Sequence, residues 1–251
     1  MKTEDPEADP IKLIAELNSL AAKAGLENTR LIIDGGFFRG SFSKAITSQL
    51  PSVNCIGFEP NQALCQSWNS DIPQSGHNIK LENLALGRDD ASAPYYVSNS
   101  FPATNSLLPR PTASRSQSPY YPKKAHLSQS HRVRVTSLDK YCKRESISNV
   151  FLLKLDLQGG ELDALEGARH LISRGEIAII YSEAVFIRKY ERQPLLLDLW
   201  SHLTAHNYRL HSLHDIKIGS YDSELNTFRK HQYNQCDALF VSSNLVDLLE
   251  S

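Results

Sequence analysis

Four short apolar runs, each closing on an acidic residue, set the strongest limit on how this chain folds. They are Leu31 to Asp34 (LIID), Val53 to Glu59 (VNCIGFE), Val150 to Asp156 (VFLLKLD) and Ile177 to Glu183 (IAIIYSE). Unbroken runs of this length, without polar alternation, suit strands buried on both faces, as in a parallel sheet. Between them lie stretches with helical character. Ser41 to Leu50 is halted by Pro51, Asn61 to Asn69 follows, and Glu161 to Ser173 puts Leu162, Leu165, Ala168, Leu171 and Ile172 on one face. Ile79 to Leu86 reads as a third strand, Leu195 to His206 as a helix, and Tyr208 to Leu213 and Ala238 to Ser242 as closing strands. Strands alternating with helices imply βαβ units, hence an α/β, doubly wound, mostly parallel sheet covered on both sides.

The ends of the chain and its composition narrow the rest. Residues 1–28 read as a polar leader followed by an amphipathic helix from Ile11 to Ala24, and residues 29–251 as the main domain. The start, MKTEDPEADP, lacks the basic and apolar regions of a signal peptide, and no stretch reaches the ~18 apolar residues of a membrane span. Cys55, Cys65, Cys142 and Cys236 are scattered without CxxC spacing. They read as buried thiols of a reducing compartment, so a cytoplasmic location is expected. A formal net charge of -1 argues against a general nucleic-acid or membrane-surface binder, which needs a large positive field. The segment 91–130 breaks the α/β rhythm: it is rich in Pro and Ser, carries the pairs Tyr95-Tyr96 and Tyr120-Tyr121, and reads as an irregular insertion.

The sharpest local feature is Ile33-Asp34-Gly35-Gly36-Phe37-Phe38-Arg39-Gly40, running from a strand into a helix. Glycines at such a turn let the backbone approach a ligand closely, and the helix start offers unpaired N–H groups. A dinucleotide fold needs GxGxxG and a phosphate there. Here the spacing differs, and Asp34 would repel a pyrophosphate. S-adenosylmethionine carries an ammonium and no phosphate, which an acid at this turn can help hold. Glu59, ending the next strand, is placed to accept the two hydroxyls of a ribose.

These residues also resemble a known family. Asp34 to Gly40, Gly57-Phe58-Glu59-Pro60-Asn61, Asn83-Leu84-Ala85-Leu86-Gly87, Asn105-Ser106-Leu107-Leu108, Val133 to Tyr141 and Lys154 to Glu161 fall in the order and spacing of the FkbM-type methyltransferases. The resemblance spans roughly residues 31 to 185. It implies a class I methyltransferase (Rossmann-like) fold with seven strands, and S-adenosylmethionine-dependent transfer to a hydroxyl on a sugar, glycolipid or natural product. It implies cofactor contacts from Asp34, Gly35, Gly36, Phe38, Gly40, Glu59, Pro60, Asn83, Ala85 and Asp156. Two positions depart from the family: Phe38 stands where Asn is common, and Gln158 where Glu is common. An amide at 158 takes no proton at neutral pH.

Methyl transfer to a hydroxyl rests on positioning and on a base near the methyl group. Asp156 and Glu183, ending two of the strands, are the candidate catalytic carboxylates, and Lys154 is expected to pair with one of them. His202 and His206 have the i, i+4 spacing of metal ligands, with His211, His214 and Asp215 nearby, but no diagnostic third ligand, so no metal is expected. His126 and His131 are candidate bases beside the insertion, and Lys123, Lys124, Arg132 and Arg134 give its end a local positive charge. The insertion is expected to shape the acceptor pocket or its lid. The acceptor is a small molecule or glycan, with no nucleic acid expected. Two other readings remain at this point: a catalytically degenerate methyltransferase fold serving as a binding module, and a nicotinamide-dependent oxidoreductase.

Overall fold

Strand β1 (Leu31–Gly35) is an inner strand of a seven-stranded sheet. On one side it pairs in parallel with β2 (Asn54–Phe58), which pairs in parallel with β3 (Ile79–Glu82). On the other side it pairs in parallel with β7 (Val150–Leu155), and β7 with β8 (Ile177–Val185). The sheet closes with β10 (Thr227–Ser242), antiparallel to β8 and to the edge strand β9 (Tyr208–Asp222). The order is β3-β2-β1-β7-β8-β10-β9, a mixed, mostly parallel seven-stranded sheet, as the family resemblance implies. This computed structural model describes residues 9–23, 30–71, 78–98, 102–110, 129–222 and 227–249.

Every residue of β7 and β8 is buried, which explains why their sequences are unbroken apolar runs. One face of the sheet packs on α4 (Leu138–Arg144), α5 (Glu161–Glu166), α6 (Arg169–Ser173) and α7 (Leu196–Thr204), through Leu138, Leu165, Ile172 and Leu199. The other packs on α1 (Pro10–Lys23), α2 (Ser41–Gln49), α3 (Gln62–Asp71) and α8 (Ser243–Leu249), through Ile14, Ile46, Trp68 and Leu245. Among the described residues no helix is long and apolar enough to cross a membrane.

A second sheet, in the order β4-β6-β5, is built from β4 (Ala85–Leu86), β5 (Ala91–Val97) and β6 (Gln129–Thr136). It corrects two expectations. The run Ile79 to Leu86 is two strands in different sheets, because the chain turns at Asn83, whose side chain donates to the carbonyls of Glu59 and Pro60. The first residues of segment 91–130 are a strand. Its Pro94 is tolerated because β5 is an edge, where a missing N–H breaks no ladder. Residues 111–128, with Tyr120, Tyr121, Lys123, Lys124 and His126, lie outside the described residues. The helix read from Glu161 to Ser173 divides at Gly167, where a β-carbon would stand 2.0 Å from the Gly87 carbonyl oxygen.

Candidate functional site

The chain leaves β1 through Gly36 and Phe38, both at positive φ (80° and 51°), and enters α2 through Gly40 (φ 69°). Two bonds shape this turn: the N–H groups of Gly36 and Phe37 both donate to the Phe58 carbonyl at 3.1 Å. A β-carbon on Gly36 would stand 1.9 Å from the Asp156 carbonyl oxygen, so only glycine lets the turn pass so close to the end of β7. Glu59 locks the same turn to the end of β2. Its Oε2 accepts from the Phe38 N–H at 2.9 Å, and its Oε1 from the Asn61 N–H at 2.8 Å. Burial pushes Glu59 above the ordinary carboxylate range, against the pull of those two N–H groups.

Against this turn lies a cleft with about 510 Å³ of free space, at the carboxyl ends of the strands where open α/β sheets bind ligands. It is lined by Gly36, Phe38, Glu59, Pro60, Ala85 and Leu86, together with Tyr95 from the smaller sheet and Ala103 and Asn105 from the turn that follows β5. A second cavity, with about 810 Å³ of free space, adjoins it and shares Gly36, Phe38 and Asp156. Its walls carry the acids Glu183, Asp215 and Asp237, the aromatic rings of Phe42 and Tyr181, and Pro10 and Ile11 from α1. Phe42 and Tyr181 are stacked at 5.8 Å. The Tyr181 hydroxyl donates to Asp237 at 3.0 Å.

Gln158 stands between the two expected catalytic acids. Its Nε2 donates to Asp156 Oδ1 at 2.7 Å and to Glu183 Oε2 at 3.2 Å. Glu183 also accepts from Gln235 Nε2 at 3.1 Å, and Lys189 Nζ lies 3.6 Å away. Burial and then the neighbouring Asp156 push the Glu183 carboxyl up to about 8, with Lys189 opposing them. Glu161 fixes the loop behind Gln158 by accepting from the N–H groups of Leu157 (2.8 Å) and Gly159 (3.1 Å). Its own carboxyl is pushed up to about 7 by burial.

The expected site residues thus divide. Gly36, Phe38, Glu59, Pro60, Ala85 and Asp156 line the first cleft, and Asp156 and Glu183 the second cavity. Gly35 and Gly40 shape the turn, and Asn83 holds the Glu59-Pro60 corner without lining either cavity. Asp34 also lines neither. Its carboxylate is fully buried, accepts from Ser43 Oγ at 2.6 Å and lies 2.9 Å from Lys154 Nζ. Lys154 therefore pairs with Asp34, not with Asp156 or Glu183 as expected. The reason is register: Asp34 and Lys154 are direct partners across β1 and β7. Glu161, Lys189, Tyr190 and Gln235 are not candidate site residues by sequence, and Tyr95 is marked there only within the Tyr95-Tyr96 pair of the insertion. Glu161 had a signal, since it closes the run Lys154 to Glu161; Lys189, Tyr190 and Gln235 come from segments with no motif.

Among the described residues no histidine lines either cavity, although His131 packs on Tyr95 and His214 on Tyr181. The rings of His202 and His206 lie 4.7 Å apart on α7, with His202 Nδ1 3.6 Å from Glu166. His131 lies on β6 against Tyr95. Among the described residues no group of three or more His, Cys, Asp or Glu side chains is placed to hold a metal ion.

Comparison with solved structures returns methyltransferases at low identity. Precorrin-6y C5,15-methyltransferase from Geobacter metallireducens GS-15 shares 11% identity, covering 90% of this chain and 87% of its own, with a TM-score of 0.43. Magnesium protoporphyrin IX methyltransferase from Synechocystis PCC 6803, with bound S-adenosylmethionine, shares 11%, covering 97% and 86%, with a TM-score of 0.44. No curated protein sequence matches significantly. The family described as the methyltransferase FkbM domain matches residues 38–210, more than half of the 251 residues. The chain belongs to this family of S-adenosylmethionine-dependent methyltransferases.

Proposed function

We propose that this enzyme methylates a hydroxyl group on a sugar, glycolipid or natural product, with the cofactor in the first cleft and the acceptor in the second cavity. The observation that carries this reading is the shared wall. Gly36, Phe38 and Asp156 border both spaces, so a group held in one meets a group held in the other there. The first cleft suits an adenosyl group. Glu59 retains unused lone pairs beyond its two backbone bonds, as two ribose hydroxyls require, and Phe58, Ala85 and Leu86 offer an apolar slot for the base. When bound, the cofactor supplies an electrophilic methyl group on a sulfonium and leaves as a neutral thioether.

The second cavity supports a neutral, hydroxylated acceptor. Asp156, Glu183, Asp215 and Asp237 present acceptors for hydroxyl hydrogens and oppose anionic groups. Phe38, Phe42 and Tyr181 give flat faces for the C–H side of a ring. Glu183, raised toward the solution pH, is the base that takes the hydroxyl proton as the oxygen gains its methyl. The four buried, unbridged cysteines support a reducing, intracellular setting. The test is transfer from radiolabelled cofactor to a panel of neutral polyols, phosphorylated sugars and amines. Label on the neutral hydroxyl compounds supports the reading, and label confined to amines or phosphorylated acceptors overturns it. Cofactor binding with no transfer to any member returns the binding-module reading.

A further inference from the structure

The geometry points to Gln158 as a positioning residue whose side-chain amide joins Asp156 and Glu183 into one unit, giving one N–H to each carboxylate. Two carboxylates crowded into a buried site ordinarily share a proton, because both cannot stay ionised. Here a single nitrogen lies 2.7 Å from Asp156 Oδ1 and 3.2 Å from Glu183 Oε2, and it carries two hydrogens. The opposite amide orientation would set Oε1 against both carboxylates. Oε1 points instead to the Tyr190 hydroxyl at 3.0 Å. Tyr190 is almost fully buried, and its single hydroxyl hydrogen is shared between Gln158 Oε1 and the Thr104 carbonyl at 2.8 Å.

The backbone around Gln158 is fixed as firmly. Gln158 sits at φ 55°, a left-handed conformation uncommon for a long side chain, and such geometry persists where its surroundings hold it. Ser106 Oγ donates to its carbonyl at 2.7 Å, and Glu161 accepts from the N–H groups on either side of it. The charged groups facing Glu183 are Asp156 beyond β7, Glu161 on α5, Asp237 on β10 and Lys189 after β8. Three of these four are acids, so the donor shared with Asp156 joins Lys189 and Gln235 in keeping an ionised Glu183 tolerable. A glutamate at 158 would add one more carboxyl to this cluster. Its catalytic meaning rests on the proposed role of Glu183 as base, but the bridge is tested without turnover.

The experiment is carbon-13 NMR titration of the full chain labelled at the glutamate carboxyl carbon, with Glu183→Gln assigning the resonance. Gln158→Leu is expected to move the Glu183 midpoint up by about one pH unit or more, since a donor to the charged form is lost. Tyr190→Phe is expected to move it the same way by less. Adenosylmethionine binding is followed alongside. A Glu183 midpoint unchanged in Gln158→Leu overturns the bridge; if that variant does not fold, an unchanged midpoint in Tyr190→Phe does so. Either result leaves the methyltransferase reading intact, since that reading is tested separately, by cofactor binding and by transfer to the acceptor panel.

Discussion

Asp34 and Lys154 face each other in register across β1 and β7, with Lys154 Nζ 2.9 Å from Asp34 Oδ1 and both side chains almost wholly out of water. Lys154 Nζ also donates to the Gly36 carbonyl at 3.1 Å, so the pair ties the glycine turn to β7, the strand that leads into Asp156. Burial favours the neutral amine, but the Asp34 and Asp156 carboxylates outweigh it and hold the ammonium above its ordinary value. Removing one partner strands the other charge in the core. Asp34→Asn and Lys154→Met are each expected to destabilise the chain by about 3–5 kcal/mol in chemical denaturation. The double variant Asp34→Leu/Lys154→Met is expected to lose less than the sum of the two.

Gly36→Ala tests the close approach of the turn to β7. The added methyl meets a backbone oxygen, not a flexible side chain, and the position has φ 80°. The turn must shift, so cofactor affinity is expected to fall by at least about tenfold while the sheet still forms. Affinity equal to wild type would show that the turn does not contact the cofactor.

Glu161 makes stability depend on pH with a definite sign. Its carboxyl is raised from 4.5 to about 7 in the fold, so the folded chain binds more protons than the unfolded chain between those values. The contribution is fully present below pH 4.5 and is lost as pH rises through 7, by about 3 kcal/mol from this group alone. Glu161→Gln keeps an acceptor for the Leu157 N–H and is expected to flatten this part of the profile. Denaturation midpoints measured from pH 5 to 8 decide it, and an identical slope in the variant contradicts the assignment.

How much of this was readable in the sequence follows from what each feature depends on. Strands β1, β2, β7 and β8, which carry or lead into Asp34, Glu59, Asp156 and Glu183, were legible because strands buried on both faces leave unbroken apolar runs. The glycine turn was legible because its conformation restricts residue type. The partner of Lys154 was not, since strand register is set by packing and leaves no mark in local spacing. Strand β5 was hidden by Pro94, which reads as a breaker until the strand is known to be an edge. The shell around Glu183 comes from Gln158, Lys189 and Gln235, with Gln158 brought in by the pairing of β7 with β8 and Gln235 by the pairing of β8 with β10. Gln158 could be seen as a departure, but its two carboxylate partners could not.

Calorimetric titration of the wild-type chain and of Glu59→Gln with S-adenosylmethionine tests the central claim, that the cleft beside Glu59 holds the adenosyl group. The wild-type chain is expected to bind at micromolar concentration. The variant, folded by circular dichroism, is expected to bind about 10- to 150-fold more weakly, the loss of one charged hydrogen-bonding interaction. Equal affinity in the two proteins, or no binding by the folded wild-type chain, would contradict it.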